Sequence, residues 1–341
     1  MIGKTPAIIP RLDDTEHRAA WQVQLANAVR STDELLQMLS ISPADLKIRS
    51  LAGDFPLRVP VGFVRRMKPG DPGDPLLLQV LPVPEEMQTA AGFHADPLAE
   101  TDAMPVPGLL HKYHGRALLT VTGACGVHCR YCFRRHFPYS DANPVGAHWT
   151  AAIRYLADHP DIGELILSGG DPLTLTDQRL HQLTDDLATI GQLHTLRIHT
   201  RMPVVLPERI DNGLLAWIGK QTRRLVMVIH CNHPNEIDAG VADALQRLTR
   251  AGVTLLNQSV LLRGINDDAG ALARLSKRLF AAGVLPYYLH QLDRVQGAAH
   301  FEVEDTQALA LLSALRSLLP GYLVPRLVRE EPGAAAKTPV S

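Results

Sequence analysis

Apolar positions recur along this chain in two rhythms. Between residues 15 and 50, Trp21, Val23, Leu25, Ala28 and Val29 keep a roughly helical spacing, and Thr32, with Glu34 close by, precedes Leu35, Leu36, Met38 and Leu39. This stretch reads as helical. Residues 67–108 break the rhythm, because Lys68-Pro-Gly-Asp-Pro-Gly-Asp-Pro is turn and loop chemistry. From about residue 117, short β-branched or Leu-rich runs alternate with helical stretches. Strands are predicted at 117–122, 164–168, 195–199, 224–230, 254–261 and 285–291, with helices between them such as 177–189 and 236–251. Six βα repeats imply parallel strands joined by right-handed crossovers, and six are too few to close an eight-fold barrel. The expected fold class is therefore α/β, a partial (β/α)6 TIM-like barrel with a helical N-terminal extension. The expected division is 1–100 for the extension and linker, 101–325 for the barrel and 326–341 for a C-terminal segment.

Such barrels gather their chemistry at the C-terminal ends of the strands. Three polar clusters fall there: cysteines after the first strand, Ser168-Gly-Gly-Asp-Pro after the second and His230-Cys-Asn-His-Pro-Asn-Glu after the fourth. Composition narrows the classes. With 46% hydrophobic and 20% charged residues, the 341-residue chain can build a core, and a net charge of −1 lacks the basic excess of a phosphate-neutralising nucleic-acid binder. No apolar run approaches the length of a membrane span, and Met1–Asp14 lacks the apolar stretch of a secretory leader. Four cysteines, three of them within Cys125–Cys132, suit an intracellular metal site better than a disulfide framework, and the cytoplasm is the expected compartment.

Residues 125–132 read Cys-Gly-Val-His-Cys-Arg-Tyr-Cys. Three thiolates on a short loop can hold three irons of a [4Fe–4S] cubane, leaving the fourth iron open to a Lewis-basic cofactor. The alternative is a zinc site completed by His128 or Cys231, but zinc motifs usually pair two Cys-x2-Cys-type hairpins and no second pair is present. Cys231 ends an apolar strand and reads as a small buried hydrophobe. Taken alone, Ser168-Gly-Gly-Asp-Pro is an ordinary βα turn capped by Asp171, Arg134-Arg135 a solvated pair, and Lys337 a solvated lysine on a tail.

A resemblance changes those last readings. Cys-x3-Cys-x2-Cys with Tyr131 before its last cysteine resembles the radical S-adenosylmethionine superfamily. From about residue 100 onward the chain resembles lysine 2,3-aminomutases, through His230-Cys-Asn-His-Pro-Asn-Glu, Asn257-Gln-Ser-Val-Leu-Leu-Arg-Gly-Ile-Asn-Asp and Lys337-Thr-Pro-Val. The run Tyr287-Tyr-Leu-His-Gln-Leu-Asp-Arg-Val-Gln-Gly-Ala-Ala-His-Phe resembles the short bacterial form that makes β-lysine for modification of translation elongation factor P. The resemblance implies a barrel of the radical S-adenosylmethionine type with its cluster on Cys125, Cys129 and Cys132. It implies S-adenosylmethionine at Ser168, Gly169, Gly170, Asp171, His230 and Asn232. It implies pyridoxal 5′-phosphate carried by Lys337, with phosphate contacts from Lys112, Tyr113, Arg116, Gln258 and Ser259. Arg134 would grip the substrate's α-carboxylate with two prongs, and Asp293 and Glu330 would receive its distal ammonium. The implied reaction takes a hydrogen from the β-carbon of L-lysine with a 5′-deoxyadenosyl radical, moves the nitrogen and returns the hydrogen to give β-lysine.

The implied partners are L-lysine, a reductant such as flavodoxin or ferredoxin, and, functionally, elongation factor P with its lysyl-transferring ligase. Neither nucleic acid nor membrane is expected, and an oligomer is compatible. The sequence departs from the longer aminomutases at Lys112 (arginine there), Cys231 (an aromatic residue), Glu330 (aspartate) and Ala334–Ala336 (glycines). Two rival readings remain. One is a catabolic or osmolyte-forming aminomutase, against which the sequence stops four residues after Lys337. The other is a non-enzymatic iron–sulfur or zinc protein.

Overall fold

A computed structural model of the chain describes residues 19–44, 46, 55–139 and 147–341. One sheet of nine strands organises it: β1 (Leu109–Tyr113), β2 (Arg116–Thr122), β3 (Glu164–Gly169), β4 (Thr195–Thr200), β5 (Arg224–Ile229), β6 (Thr254–Val260), β7 (Leu285–His290), β8 (Arg326–Arg329) and β9 (Thr338–Pro339). Spatial order equals chain order. Strands β2 to β8 are parallel, while β1 and β9 run antiparallel as the two edges. The sheet is an open, partial barrel. All six predicted strands are present to within a residue or so. The seventh parallel strand, β8, lies beyond residue 325 and extends the expected six.

Alternation within each strand decides what faces the interior. In β4, Leu196 and Ile198 are buried in the apolar core, whereas Arg197 and His199 look into the barrel. In β6, Leu255, Asn257 and Ser259 turn outward while Gln258 and Val260 turn in. A register slip between β6 and β7 makes Tyr287 an extra residue, so consecutive tyrosines, Tyr287 and Tyr288, both reach the interior. Parallel sheets covered on both faces are normally apolar on both. This one is polar inside, and that is where a site belongs.

Helices cover the outer face and enclose the main apolar core. Asp211, Asp238 and Asp268 start three of them (Asn212–Gly219, Ala239–Arg250 and Ala269–Ala281), accepting the third helical amide at 2.9, 2.9 and 2.7 Å. The N-terminal stretch forms two short helices, Ala20–Ala26 and Thr32–Met38, and Trp21 packs beneath the Arg209 guanidinium at 4.6 Å. The remainder of the helical reading, 15–18, 45 and 47–50, lies outside the described residues, as does the leader reading of Met1–Asp14. Residues 67–108 are loop with two single 3-10 turns, as expected, yet they bury Asp74, Gln79, Glu86 and Glu100 against the barrel. Among the described residues no helix is long and apolar enough to cross a membrane.

Candidate active site

The polar interior opens into a cavity of about 610 Å³. Every predicted site residue lines it except Ser259. Ser259 sits on the outward face of β6, where its hydroxyl donates to the Cys231 carbonyl (2.7 Å) and accepts from Asn257 Nδ2 (2.9 Å). The expected phosphate contact fails there because neighbouring positions of a strand face opposite ways, and Gln258 has the inward one.

The cysteine loop is clamped by the end of β3. Gly170 N–H donates to Thr122 O and Asp171 N–H to Ala124 O, both at 2.7 Å. The approach is so close that a Cβ on Gly169 would lie 2.4 Å from Thr122 O and one on Gly170 2.2 Å from Ala124 O. Gly169 also has φ +122°, a conformation that favours glycine. Asp171 accepts from Leu173 N (3.0 Å), Thr200 Oγ1 (2.7 Å), Arg201 N (2.7 Å) and Met202 N (3.2 Å). Its carboxylate is thus engaged in tying β3 to β4.

Three arginines fix the loop's far side. Arg201 donates to Cys129 Sγ (2.7 Å), Gln79 Oε1 (2.6 Å) and Glu236 Oε2 (2.9 Å). Arg130 and Arg135 share Glu86, with Arg130 Nε at 2.8 Å and Arg135 Nη2 at 2.7 Å. The thiols are buried beside one another, which pushes Cys132 up to about 12 and Cys125 well up. Among the described residues no three His, Cys, Asp or Glu side chains are disposed to hold a single metal ion. A cubane places each thiolate on its own iron and does not require that convergence. The zinc alternative's extra ligands are directed elsewhere: His128 Nδ1 is 2.8 Å from Pro56 O, and Cys231 lies in the hydrophobic core.

Arg134 is buried and already forked onto a carboxylate, with Nε 2.6 Å from Glu100 Oε2 and Nη2 2.8 Å from Glu100 Oε1. Its Nη1 reaches Ser168 Oγ at 2.9 Å. The expected two-pronged grip on a substrate is therefore taken by Glu100, and one prong beside the Ser168 hydroxyl is what the geometry leaves. Lys112 bridges the pocket, 3.7 Å from both Glu100 and Glu330. Lys337 Nζ donates to Glu330 Oε2 at 2.7 Å, and burial together with the Glu330 charge pushes the Tyr113 hydroxyl up. Burial pushes Glu330 up, but Lys337 and Lys112 reverse this and hold it at about 2. The Asp293 carboxyl has no hydrogen bond or ion pair among the described residues, and burial followed by the Glu330 charge raises it to about 7.

Neutral imidazoles line the remaining wall. His230 accepts from the Gln258 amide at 2.9 Å, and burial with the Arg201, Lys337 and Arg134 charges lowers it to about 3. Asn232 Nδ2 donates to the Tyr131 hydroxyl (2.6 Å) and Gln79 Oε1 (3.1 Å). His199 and His290, both facing the cavity, leave Nε2 without a partner among the described residues.

Sequence reasoning missed Gln79, Glu86, Glu100, His199, Arg201 and His290. The alternation in Thr195-Leu-Arg-Ile-His-Thr could have put His199 inside. A glutamate in a Pro/Gly-rich loop carries no comparable signal.

No protein-family model matches the chain. The L-lysine 2,3-aminomutase of Escherichia coli is 50% identical over 329 residues, covering 96% of this chain and 96% of its own. That of Haemophilus influenzae is 47% identical over 334 residues, covering 97% and 98%. Among solved structures, a radical S-adenosylmethionine methyltransferase from Sphaerobacter thermophilus matches 65% of this chain and 68% of its own at 14% identity, with a TM-score of 0.46. The two sequence similarities extend over nearly the whole chain, and on that basis this chain belongs to the L-lysine 2,3-aminomutase family.

Proposed function

We propose that the chain converts L-lysine to β-lysine with a [4Fe–4S] cluster, S-adenosylmethionine and pyridoxal 5′-phosphate. The observation that carries the reading is one cavity lined by three cysteines at one wall, the Lys337–Glu330 pair at another and Arg134 between charged partners. The donor set fits these groups. Three thiols share a loop whose fourth position is open, and two buried imidazole nitrogens face the space without partners. When bound, the cofactors supply a carbon-centred radical and a carbonyl that captures amines.

The chain's own residues do the positioning. Glu100 fixes Arg134 so that Nη1 and the Ser168 hydroxyl present themselves together to an α-carboxylate. Lys337 is an ammonium held by Glu330, so it occupies the subsite expected for the substrate's own distal ammonium. Were Lys337 drawn away to hold the cofactor, Glu330 would be free to join Asp293 in receiving the distal ammonium of L-lysine. Arg134 and Glu100 are both buried, so water competes little for their pairing.

We further assign the electrons to a reductant such as flavodoxin or ferredoxin, the compartment to the cytoplasm, and the use of β-lysine to modification of elongation factor P by its ligase. An anaerobic assay with L-lysine, reductant and S-adenosylmethionine tests the core of this. β-Lysine should form with wild-type protein, and Lys337→Ala should form none. Turnover unaffected in Lys337→Ala would remove the pyridoxal 5′-phosphate part of the reading, and no turnover by reconstituted wild type would remove all of it.

A further inference from the structure

A phosphate monoester buried in this cavity needs cationic donors, and two of the side chains expected to supply contacts are committed elsewhere. Lys112 Nζ donates to Leu98 O at 3.1 Å and neutralises Glu100 and Glu330. Ser259 faces away. Arg116 remains, stacked 4.6 Å over the Tyr113 ring, with no carboxylate within ion-pair distance among the described residues. One arginine is a thin complement for a dianion.

Of the other arginines lining the cavity, Arg134, Arg135 and Arg201 are held by Glu100, Glu86 and Glu236, which leaves Arg197 and Arg326. Arg197 is paired with Glu164. Arg326 makes no ion pair and no side-chain hydrogen bond among the described residues. Its place in the sheet is specific. Register sets Arg326 beside Tyr288 and Tyr288 beside Gln258, and Gln258 bonds His230. Arg326 thus shares a rung with Gln258, the inward-facing residue of β6. Two strand spacings separate their backbones by roughly 10 Å, so an arginine and a glutamine side chain can meet on one group between them.

We propose that Arg326 binds the phosphate of pyridoxal 5′-phosphate together with Arg116, in the role first expected of Lys112. The inference rests on the cofactor reading proposed above. A planar guanidinium with several donors suits a phosphate, and its charge has no competing carboxylate here.

Equilibrium dialysis against pyridoxal 5′-phosphate and against pyridoxal, which lacks the phosphate, tests it without turnover. Arg326→Gln should weaken the phosphorylated ligand roughly 10- to 100-fold and leave pyridoxal binding unchanged. Arg326→Lys should recover much of the loss. Equal weakening of both ligands, or undiminished binding of pyridoxal 5′-phosphate in Arg326→Gln, overturns this inference alone. Failure of the unaltered protein to bind pyridoxal 5′-phosphate overturns the cofactor reading and this inference with it.

Discussion

Asp293 and Glu330 face the same cavity and are driven in opposite directions, to about 7 and about 2. Asp293 therefore keeps its proton in mildly acidic solution and must release it to meet an ammonium. L-Lysine affinity should fall about tenfold per pH unit below neutrality, and Asp293→Asn should flatten that profile. A flat profile in the wild type would exclude Asp293 from ammonium recognition. The same shift acts on folding. A carboxyl raised from 3.8 to about 7 costs ligand-free stability as pH climbs between those values. A second residue-scale test concerns the glycine clamp. Gly170→Ala would drive a Cβ to within 2.2 Å of Ala124 O, so iron bound after reconstitution should drop sharply. Gly191→Ala, with nothing within 4 Å, should bind iron normally, and equal iron in both variants would count against the clamp. Sequence placed Gln258 and Ser259 side by side as ligands, and only the inside-outside alternation of β6 separates them.

At the scale of elements, the loop 67–108 departs most from its expected plainness. Its composition announces turns, and turns are what it forms. Its buried glutamates are invisible to any periodicity, because Glu86 and Glu100 answer arginines within and just after the cysteine motif. Glu86 meets both Arg130 and Arg135, and Arg130 is fully buried. Glu86→Ala leaves those charges without a counter-ion and should destabilise the fold by about 3–5 kcal/mol. Chemical denaturation measures this, and a loss below about 1 kcal/mol, the range of an exposed pair, would mean the triad is solvated after all. The strands fared otherwise, since each of the six predicted runs is long enough and apolar enough to be seen. β8 was not seen, because Arg326-Leu-Val-Arg is four residues following Pro325 and carries charge at both ends.

For the whole molecule, the cavity is closed by the weakest part of the sheet. β9 pairs only with β8, through Val328 with Pro339 and Arg329 with Thr338, and the Val340 amide reaches Leu327 O at 3.2 Å. Lys337 adjoins this strand and is pinned by Glu330. In hydrogen exchange, the Thr338 and Val340 amides should exchange far faster than those of β3 to β6, and faster still in Lys337→Ala. Protection of Thr338 and Val340 that is unchanged in Lys337→Ala would show that the Glu330 pair does not hold the strand. Barrel architecture was legible because it rests on repeated apolar runs. The seam was not, because two residues of strand and one ion pair leave no pattern.

Spatial order that equals chain order also has a meaning in time. A nascent chain adds each strand beside the one made just before it, so no strand waits for a distant partner. Most of the cysteine loop's scaffold exists once Glu236 has emerged, since Gly170, Asp171 and Arg201 precede that residue, and the contact of Arg135 with the Gly297 carbonyl follows later. At that moment β6 to β9 do not yet exist, and the thiols stand on one side of an unfinished wall. The ground on which the cysteines stand is thus laid before the place for an organic cofactor, which needs β6 to β9, has been made.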